Sequence, residues 1–104
     1  MIFANVLEYG DREKILQLRP SHQSYLFGLL DGGKLVAAGS FPHDVGGLYL
    51  YVTDSEQTAK QFMLNDPYFV GGAIKSYRIF AWQVHGANPD LLQVTKPSPA
   101  HTAG

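Results

Sequence analysis

Turn-forming residues recur along this chain, and their spacing constrains the fold more than any other feature of the sequence. Pairs drawn from glycine, aspartate and proline stand at 10–11, 32–33, 46–47, 66–67 and 71–72. Such pairs interrupt helices and strands, because glycine reaches left-handed backbone conformations and proline lacks an N–H donor. The residues between these pairs therefore form short helices and strands.

Four segments are predicted to be strands. The first is apolar on both faces up to Glu8, which is typical of a strand buried on two sides. In the third, leucine and valine alternate with Tyr49 and Tyr51, so aliphatic and aromatic side chains lie on opposite faces. The predicted strands are Ile2–Tyr9, Leu35–Phe41, Leu48–Thr53 and Ile74–His85.

Two helices are predicted between the strands. The first begins at Pro20, because proline suits the first turn of a helix and biases the preceding residue away from helical backbone. It ends at about Asp31, before two glycines. Residues 11–18 form either a short helical turn or a loop. The second helix follows a cap at Asp54 or Ser55 and carries apolar residues at helical spacing.

The predicted order is strand, helix, strand, strand, helix, strand. This order is typical of the ferredoxin-like split βαβ arrangement, an α+β fold with an antiparallel sheet. In that arrangement both helices cover the same face of the sheet, so the opposite face has no cover within one domain.

The uncovered face predicts a homodimer. Because the strands are apolar on both faces, the side that carries Tyr49 and Tyr51 is a candidate for cover by a second copy of the chain. The alternative is that these aromatic side chains lie on a partly exposed face, since much of any protein surface is apolar.

Composition argues against several classes of partner and cofactor. The net charge is -1 and no run of Lys or Arg occurs, so we expect no binding to nucleic acid or to an anionic membrane. The chain has no cysteine, and no two His or carboxylate residues recur at helical ligand spacing, so no metal site is expected. With no apolar span long enough to cross a bilayer, a cytoplasmic protein is predicted.

The chain is predicted to fold as one domain over residues 1–85, followed by a flexible tail over residues 86–104. One hundred and four residues suit a single core. The tail is rich in glycine, proline and alanine and lacks periodicity, although Leu91 and Leu92 could dock on the domain.

His22 is the first candidate functional residue. Counting back from Leu30 by helical steps reaches Leu26 and then His22, which places the imidazole on the inward face. A lone histidine on an apolar face is more often structural, with both ring nitrogens satisfied. A functional role requires a polar partner, and the best candidate is Asp66, which the split βαβ arrangement can bring to the start of the first helix.

A carboxylate beside an imidazole holds one ring tautomer and leaves the other nitrogen free for substrate, which suits a general base. Asp66 precedes Pro67, however, and Asp-Pro is also common in turns that have no catalytic role. From the residues alone, both interpretations of Asp66 stay open.

Several short motifs, in order, resemble the YCII-related family. They are Arg19-Pro-Ser-His22-Gln-Ser-Tyr25-Leu26, Gly33-Lys-Leu35, Gly39-Ser-Phe, Gly47 and Asp66-Pro67-Tyr68-Phe69 with Gly71 or Gly72. The resemblance covers Met1 to about Trp82 and implies ferredoxin-like domains that pair into a dimeric α/β barrel. It also implies that His22 and Asp66 are an active-site pair. The chain departs from the family where it has Gly39-Ser40 instead of Gly-Pro and Ala81-Trp82 instead of Pro-Trp.

Four further residues are candidate substrate contacts. Arg19 could hold an anionic group at the mouth of a pocket, although an arginine just before a helix is commonly solvated. Ser40 could donate a hydrogen bond, although serine is also a turn residue. Tyr25 and Tyr68 could line the site or belong to the core or rim.

The sequence thus predicts a small protein with one pocket per subunit for a small organic molecule. His22 would act as acid and base in a lyase, isomerase or dehalogenation-like proton transfer, with Asp66 orienting it. Such chemistry needs no cofactor when the substrate proton is acidic enough. The alternative is a non-catalytic ligand-binding or accessory domain, in which the same pair binds a polar group.

Overall fold

Four strands form one antiparallel sheet, and helices pack on one of its faces. The computed structural model describes residues 1–94. The strands are β1 (Ile2–Tyr9), β2 (Leu35–Ser40), β3 (Gly46–Val52) and β4 (Ile74–Trp82). Their spatial order, β2-β3-β1-β4, places β1 and β3 at the centre and confirms the predicted ferredoxin-like α+β fold.

Three helices connect the strands: α1 (Arg12–Asp31), α2 (Glu56–Leu64) and α3 (Pro67–Val70). The caps of all three come from short polar side chains. Asp11 accepts from the backbone N–H of Glu13 at 2.9 Å, and Ser55 accepts from that of Thr58 at 3.1 Å. Asp66 caps α3, so the candidate carboxylate is fixed by helix geometry.

The predicted start of the first helix at Pro20 is wrong, because α1 begins eight residues earlier at Arg12 and continues through the proline. A proline inside a helix costs about 3 kcal/mol, since it removes one hydrogen bond and crowds the preceding turn. Here the residues before the proline contribute to the core: Ile15 is fully buried and Leu18 packs against the core. Full burial of one such side chain stabilises by about 1.5–3 kcal/mol, which offsets the proline.

The prediction about the uncovered face also needs correction. Tyr49 and Tyr51 are each 1% exposed, so their face is the one that the helices cover. The opposite face is the one left open, and we call it the outer face. Four of its large apolar side chains are 37–48% exposed; they are Val6, Leu48, Phe80 and Trp82.

The last strand is shorter than predicted: β4 ends at Trp82 and not at His85. Beyond it, a 3-10 turn at Pro89–Leu91 is the only helical element within residues 86–94. Both Leu91 and Leu92 are largely exposed, at 78% and 65%. The rest of the predicted tail, residues 95–104, lies outside the described residues. No helix within residues 1–94 is both long and apolar enough to cross a membrane.

Candidate functional site

His22 of α1 and Asp66, the N-cap of α3, form a buried hydrogen-bonded pair. The imidazole Nδ1 lies 2.7 Å from the carboxylate Oδ1 of Asp66, and the two residues are 6% and 2% exposed. An ionised carboxylate can only accept, so Nδ1 carries a proton and donates it to Asp66. The neutral ring therefore keeps its lone pair on Nε2.

The backbone of α3 holds the Asp66 carboxylate in place. The same Oδ1 atom accepts from the backbone N–H of Tyr68 at 2.9 Å, which is the N-cap bond of this helix. Pro67 occupies the first helical position, where its lack of an N–H costs nothing. Oδ2 is buried without a partner in the structure. The Asp-Pro pair thus acts both as a helix start and as an anchor for the imidazole.

Tyr68 and Arg19 fix the plane of the imidazole. The rings of His22 and Tyr68 stack with centroids 3.7 Å apart and an angle of 7° between the planes. Arg19 donates from Nε to the Tyr68 hydroxyl at 3.3 Å. The hydrogen bond from Arg19 lowers the pKa of Tyr68, but burial outweighs it, so the net shift is upward.

Two tyrosines continue the hydrogen-bonded chain from the other ring nitrogen. The hydroxyl of Tyr49 lies 3.2 Å from His22 Nε2, and the hydroxyl of Tyr9 bonds to that of Tyr49. Because Nε2 carries the lone pair, Tyr49 must donate to it, and Tyr9 must then donate to Tyr49. The donors therefore run in one direction, from Tyr9 through Tyr49 to His22 and on to Asp66.

Burial keeps the tyrosine hydroxyls of this chain protonated. Desolvation is the main cause that raises the pKa of both Tyr49 and Tyr9 far above the usual value. The hydrogen bond from Tyr9 to Tyr49 partly opposes that shift for Tyr9. At neutral pH both groups are hydrogen-bond donors and not bases.

Glycine at position 47 makes room for this chain of hydroxyls. A Cβ atom there would lie 2.5 Å from the Tyr9 hydroxyl and 2.7 Å from the carbonyl oxygen of Gly39. Both distances are below any normal contact for a Cβ atom. Neither Tyr9 nor Tyr49 was predicted from the sequence as a site residue, because alternation along a strand separates two faces without showing which face the helices cover.

Arg19 and Asp44 form an ion pair next to the site. Arg19 contacts the Asp44 carboxylate at 2.9 Å, and Arg12 approaches its other oxygen at 3.6 Å. The hydrogen bonds from Arg19 to Tyr68 and Asp44 raise the pKa of the guanidinium, so Arg19 is charged throughout the physiological range. Asp44 and its neighbour His43 adopt left-handed backbone with φ of 56° and 65°, a strained conformation that turns the chain here.

A cavity of about 1060 Å³ extends from α1 around the edge strand β2, where Leu48, Leu50 and residues 92–94 also border it, and it reaches the imidazole. Of the predicted site residues, His22, Arg19, Ser40 and Tyr68 line it, together with Tyr9 and Tyr49. Aliphatic and aromatic side chains supply much of the remaining wall; they include Leu26, Phe27, Leu30, Val36, Phe41 and Leu50. A volume of this size can enclose a small ring compound.

Tyr25, which was predicted as a substrate contact, is not among the residues that line this cavity. Its hydroxyl donates to the carbonyl oxygen of Phe62 at 2.7 Å, which ties α1 to α2. The helical spacing from His22 is correct, but it turns Tyr25 toward the neighbouring helix. In the described part of the chain, no three His, Cys, Asp or Glu side chains are grouped so that they could hold a metal ion.

Comparison with known proteins confirms the family. The profile of the YCII-related domain matches residues 1–83. This chain belongs to the YCII-related family. A search of the curated proteins found no match to this YCII-related protein.

One solved structure similar to this YCII-related protein is 5-chloro-2-hydroxyhydroquinone dehydrochlorinase from Burkholderia phenoliruptrix, in complex with 2,5-dihydroxybenzoquinone. The two chains superpose with a TM-score of 0.71 over 83% of this chain and 96% of the other, at 20% sequence identity. At this identity the likeness confirms the fold.

Replacing Asp66 by asparagine is expected to preserve the ring tautomer of His22. The N–H of Tyr68 requires an oxygen at the Oδ1 position, so the amide oxygen takes that place and still accepts from Nδ1. Asp66→Ala removes that acceptor, so both tautomers become populated, and loss of the cap costs about 1 kcal/mol. The ring 15N chemical shifts of His22 measure the tautomer. Identical ring spectra for the asparagine and alanine variants would show that Asp66 does not select it.

Proposed function

We propose that this YCII-related protein is an enzyme that transfers a proton on a small organic molecule, with His22 as the acid and base. The observation that carries the proposal is the anchored imidazole: Asp66 holds Nδ1 at 2.7 Å, while the ring lines a cavity large enough for a substrate. This arrangement leaves one nitrogen with a lone pair, which is what a general base requires.

The proposed reaction uses the pair in two ways. Asp66 keeps the proton on Nδ1, so Nε2 is the atom that removes a proton from the substrate. The carboxylate then stabilises the imidazolium that forms, because the two opposite charges lie in a buried, weakly screened environment. Lyase, isomerase and dehalogenation-like reactions can all begin with this step, and none needs a cofactor when the proton is acidic.

The solved relative suggests the kind of molecule to test. That protein is a dehydrochlorinase bound to 2,5-dihydroxybenzoquinone, a small hydroxylated ring. The apolar walls of the present cavity suit such a ring, and the polar groups at one end suit its oxygens. We propose that Arg19, Ser40 and Tyr68 contact the substrate, with Arg19 nearest to an anionic oxygen.

A non-catalytic ligand-binding domain is the alternative function. It is favoured by one observation: the Tyr49 hydroxyl already bonds to Nε2, so the imidazole is satisfied on both sides as a structural histidine would be. A ligand would then occupy the cavity without losing a proton to His22.

Solvent hydrogen exchange separates the two functions. In D2O, an enzyme that protonates and deprotonates 2,5-dihydroxybenzoquinone is expected to accelerate loss of the ring-hydrogen signal in the proton NMR spectrum. A binding domain would broaden or shift that signal without accelerating its loss. Saturable binding with no acceleration above the buffer rate would therefore contradict the enzymatic proposal and support the alternative.

We also propose that the protein is a homodimer in which the outer face is covered by the second copy. Val6 and Leu48 face each other across the β1–β3 ladder at the centre of that face, with exposures of 37% and 38%. Phe80 and Trp82 extend the apolar surface along β4. A contiguous apolar surface rimmed by polar residues is typical of an interface.

Replacing Val6 by lysine is expected to shift the protein toward monomer, because a charge at the centre of a buried interface is left unpaired. Sedimentation velocity at micromolar concentration measures the change. Val70→Lys is the matched control, since Val70 is 73% exposed on α3, on the helical side. A wild-type chain that sediments as a folded monomer would overturn the proposal.

We further propose that the folded domain ends near residue 85 and that the segment after it is not required for the fold. The last strand ends at Trp82, and within residues 83–94 the side chains are exposed. The cytoplasmic location stays a prediction from the sequence.

A further inference from the structure

We propose that Tyr49 is a catalytic residue that donates a hydrogen bond to a substrate oxyanion, and that the substrate is a phenol or an enol. The inference rests on the proposed role of His22 as base. It adds to that role a donor for the negative charge and a chemical class for the group that loses the proton.

The Tyr49 hydroxyl and the His22 base lie close enough together to share one substrate atom. The Tyr49 hydroxyl and His22 Nε2 are 3.2 Å apart, and both residues line the cavity. An oxygen atom placed about 2.8 Å from each of them lies within hydrogen-bond distance of both. One substrate oxygen can therefore contact His22 Nε2 and the Tyr49 hydroxyl at the same time.

The direction of the hydrogen bonds determines where the Tyr49 proton goes when a substrate binds. Without substrate, the Tyr49 proton points to Nε2. A substrate hydroxyl that donates to Nε2 displaces that bond, and the freed O–H of Tyr49 then has the substrate oxygen as its nearest acceptor. The contact at 3.2 Å is long for an O–H donor, so it is weaker than the bond that replaces it.

The proton and the charge then balance. The substrate O–H bond breaks, the proton forms an N–H bond at Nε2, and the electron pair stays on the substrate oxygen. The resulting imidazolium is paired with Asp66, and the oxyanion accepts from Tyr49. A buried, preorganised donor aimed at developing charge is an effective way to stabilise such an anion.

Tyr9 is a positioning residue for Tyr49. Its hydroxyl donates to the Tyr49 oxygen, so it both orients that group and polarises its O–H. Since burial raises the pKa of both tyrosines, neither loses its own proton to His22 at neutral pH. This keeps them as donors when an anion forms beside them.

Ionisation of bound 4-nitrophenol tests the proposal, because the absorbance of this probe reports the phenolate directly. The wild-type protein is expected to hold the probe as phenolate at a pH about one unit below the midpoint of the free probe. Tyr49→Phe removes the donor and keeps the ring, and it is expected to lower the ratio of bound phenolate to phenol about tenfold or more. Tyr9→Phe is expected to lower it less.

Tyr51→Phe is the matched control. Tyr51 is buried on the same face of the same strand, but its hydroxyl accepts from Asn5 at 3.3 Å and does not line the cavity. Its removal is expected to leave the ionisation of the probe unchanged. Circular dichroism confirms that each phenylalanine variant is folded.

The outcomes distinguish the two proposals. If His22→Gln abolishes the excess ionisation while Tyr49→Phe leaves it at the wild-type level, the role of Tyr49 is wrong and His22 remains the base. If the His22 variant ionises the probe as the wild type does, the base itself is misassigned. A wild-type protein that neither binds nor ionises 4-nitrophenol would show that the phenol or enol class is wrong.

Discussion

Replacing His22 by glutamine is expected to slow the exchange of 2,5-dihydroxybenzoquinone ring hydrogens by at least about 100-fold, the usual contribution of a general acid or base. Glutamine fills a similar space and can donate to the Asp66 carboxylate, but it cannot accept and carry a proton at neutral pH. The rate of signal loss in D2O, measured by proton NMR at saturating ligand, gives the effect.

His85→Gln is the control for this experiment. His85 is exposed, follows the last strand and does not line the cavity. It also changes the histidine content of the chain by the same one residue. If both variants exchanged the ring hydrogens at the wild-type rate, catalysis would reside in another group or in the buffer.

Glutamine is chosen at position 22 because it can still donate a hydrogen bond to Asp66, which is only 2% exposed and cannot be solvated instead. A buried carboxylate that loses a hydrogen-bond donor typically costs about 1–3 kcal/mol of stability, and more when the group is charged. His22→Leu leaves Asp66 in that condition, so its loss of activity would combine a missing base with a weakened fold. Comparing the thermal midpoints of the two variants separates these effects.

Local sequence signals were sufficient to predict the fold and the inward position of His22, whereas the pairing of His22 with Asp66 stayed open on the residues alone and was implied by the resemblance to the YCII-related family. Helical spacing placed His22 on the inward face, and the order of elements placed Asp66 at the end of the second helix, near the first. Both inferences use periodicity and connectivity, which hold regardless of the detailed packing. The boundaries of β1 were also correct to the residue.

The errors have a common physical origin. Pro20 is a local signal for a helix start, but α1 begins before it. The burial of Ile15 in the folded chain stabilises the helical turns that precede the proline. The role of Tyr49 depended on which sheet face the helices cover. Alternation along β3 is the same for either choice, so the sequence alone did not decide it.

Asp44 was missed for a similar reason. Its contact with Arg19 depends on left-handed backbone at two consecutive residues that are not glycine. Such conformations are uncommon and are held in place by the surrounding structure, here by Arg12 and Arg19. A single sequence contains no signal for that arrangement.

Gly46→Ala is expected to have the largest effect on stability of any single methyl group added to this sheet. A Cβ atom at Gly46 would overlap the carbonyl oxygen of Leu7 and lie 3.2 Å from its carbonyl carbon and 3.4 Å from the Glu8 Cα. These are backbone atoms of the central strand β1, which cannot rotate away as a side chain can. Relief requires β3 to separate from β1 at this point.

We expect the substitution to cost about 3 kcal/mol or more, the upper part of the range for overpacking. For a domain of this size that lowers the thermal midpoint by roughly 10–25 °C. Gly39→Ala on β2 is the matched control, because a Cβ atom there meets nothing within 4 Å. Thermal unfolding followed by circular dichroism measures both, and midpoints that agree within a few degrees would contradict the expectation.

The same variant links the sheet to the site. Gly46 lies opposite Glu8 in the β1–β3 ladder. Glu8 directly precedes Tyr9 on β1, and Gly46 is three residues before Tyr49 on β3. A separation of the strands there pulls the Tyr9 hydroxyl from that of Tyr49, and with it the contact that orients Tyr49 toward His22. In the fraction that stays folded at low temperature, Gly46→Ala is therefore expected to reduce the ionisation of 4-nitrophenol as Tyr9→Phe does. Wild-type ionisation in that fraction would show that the two tyrosines keep their contact without the close approach of the strands.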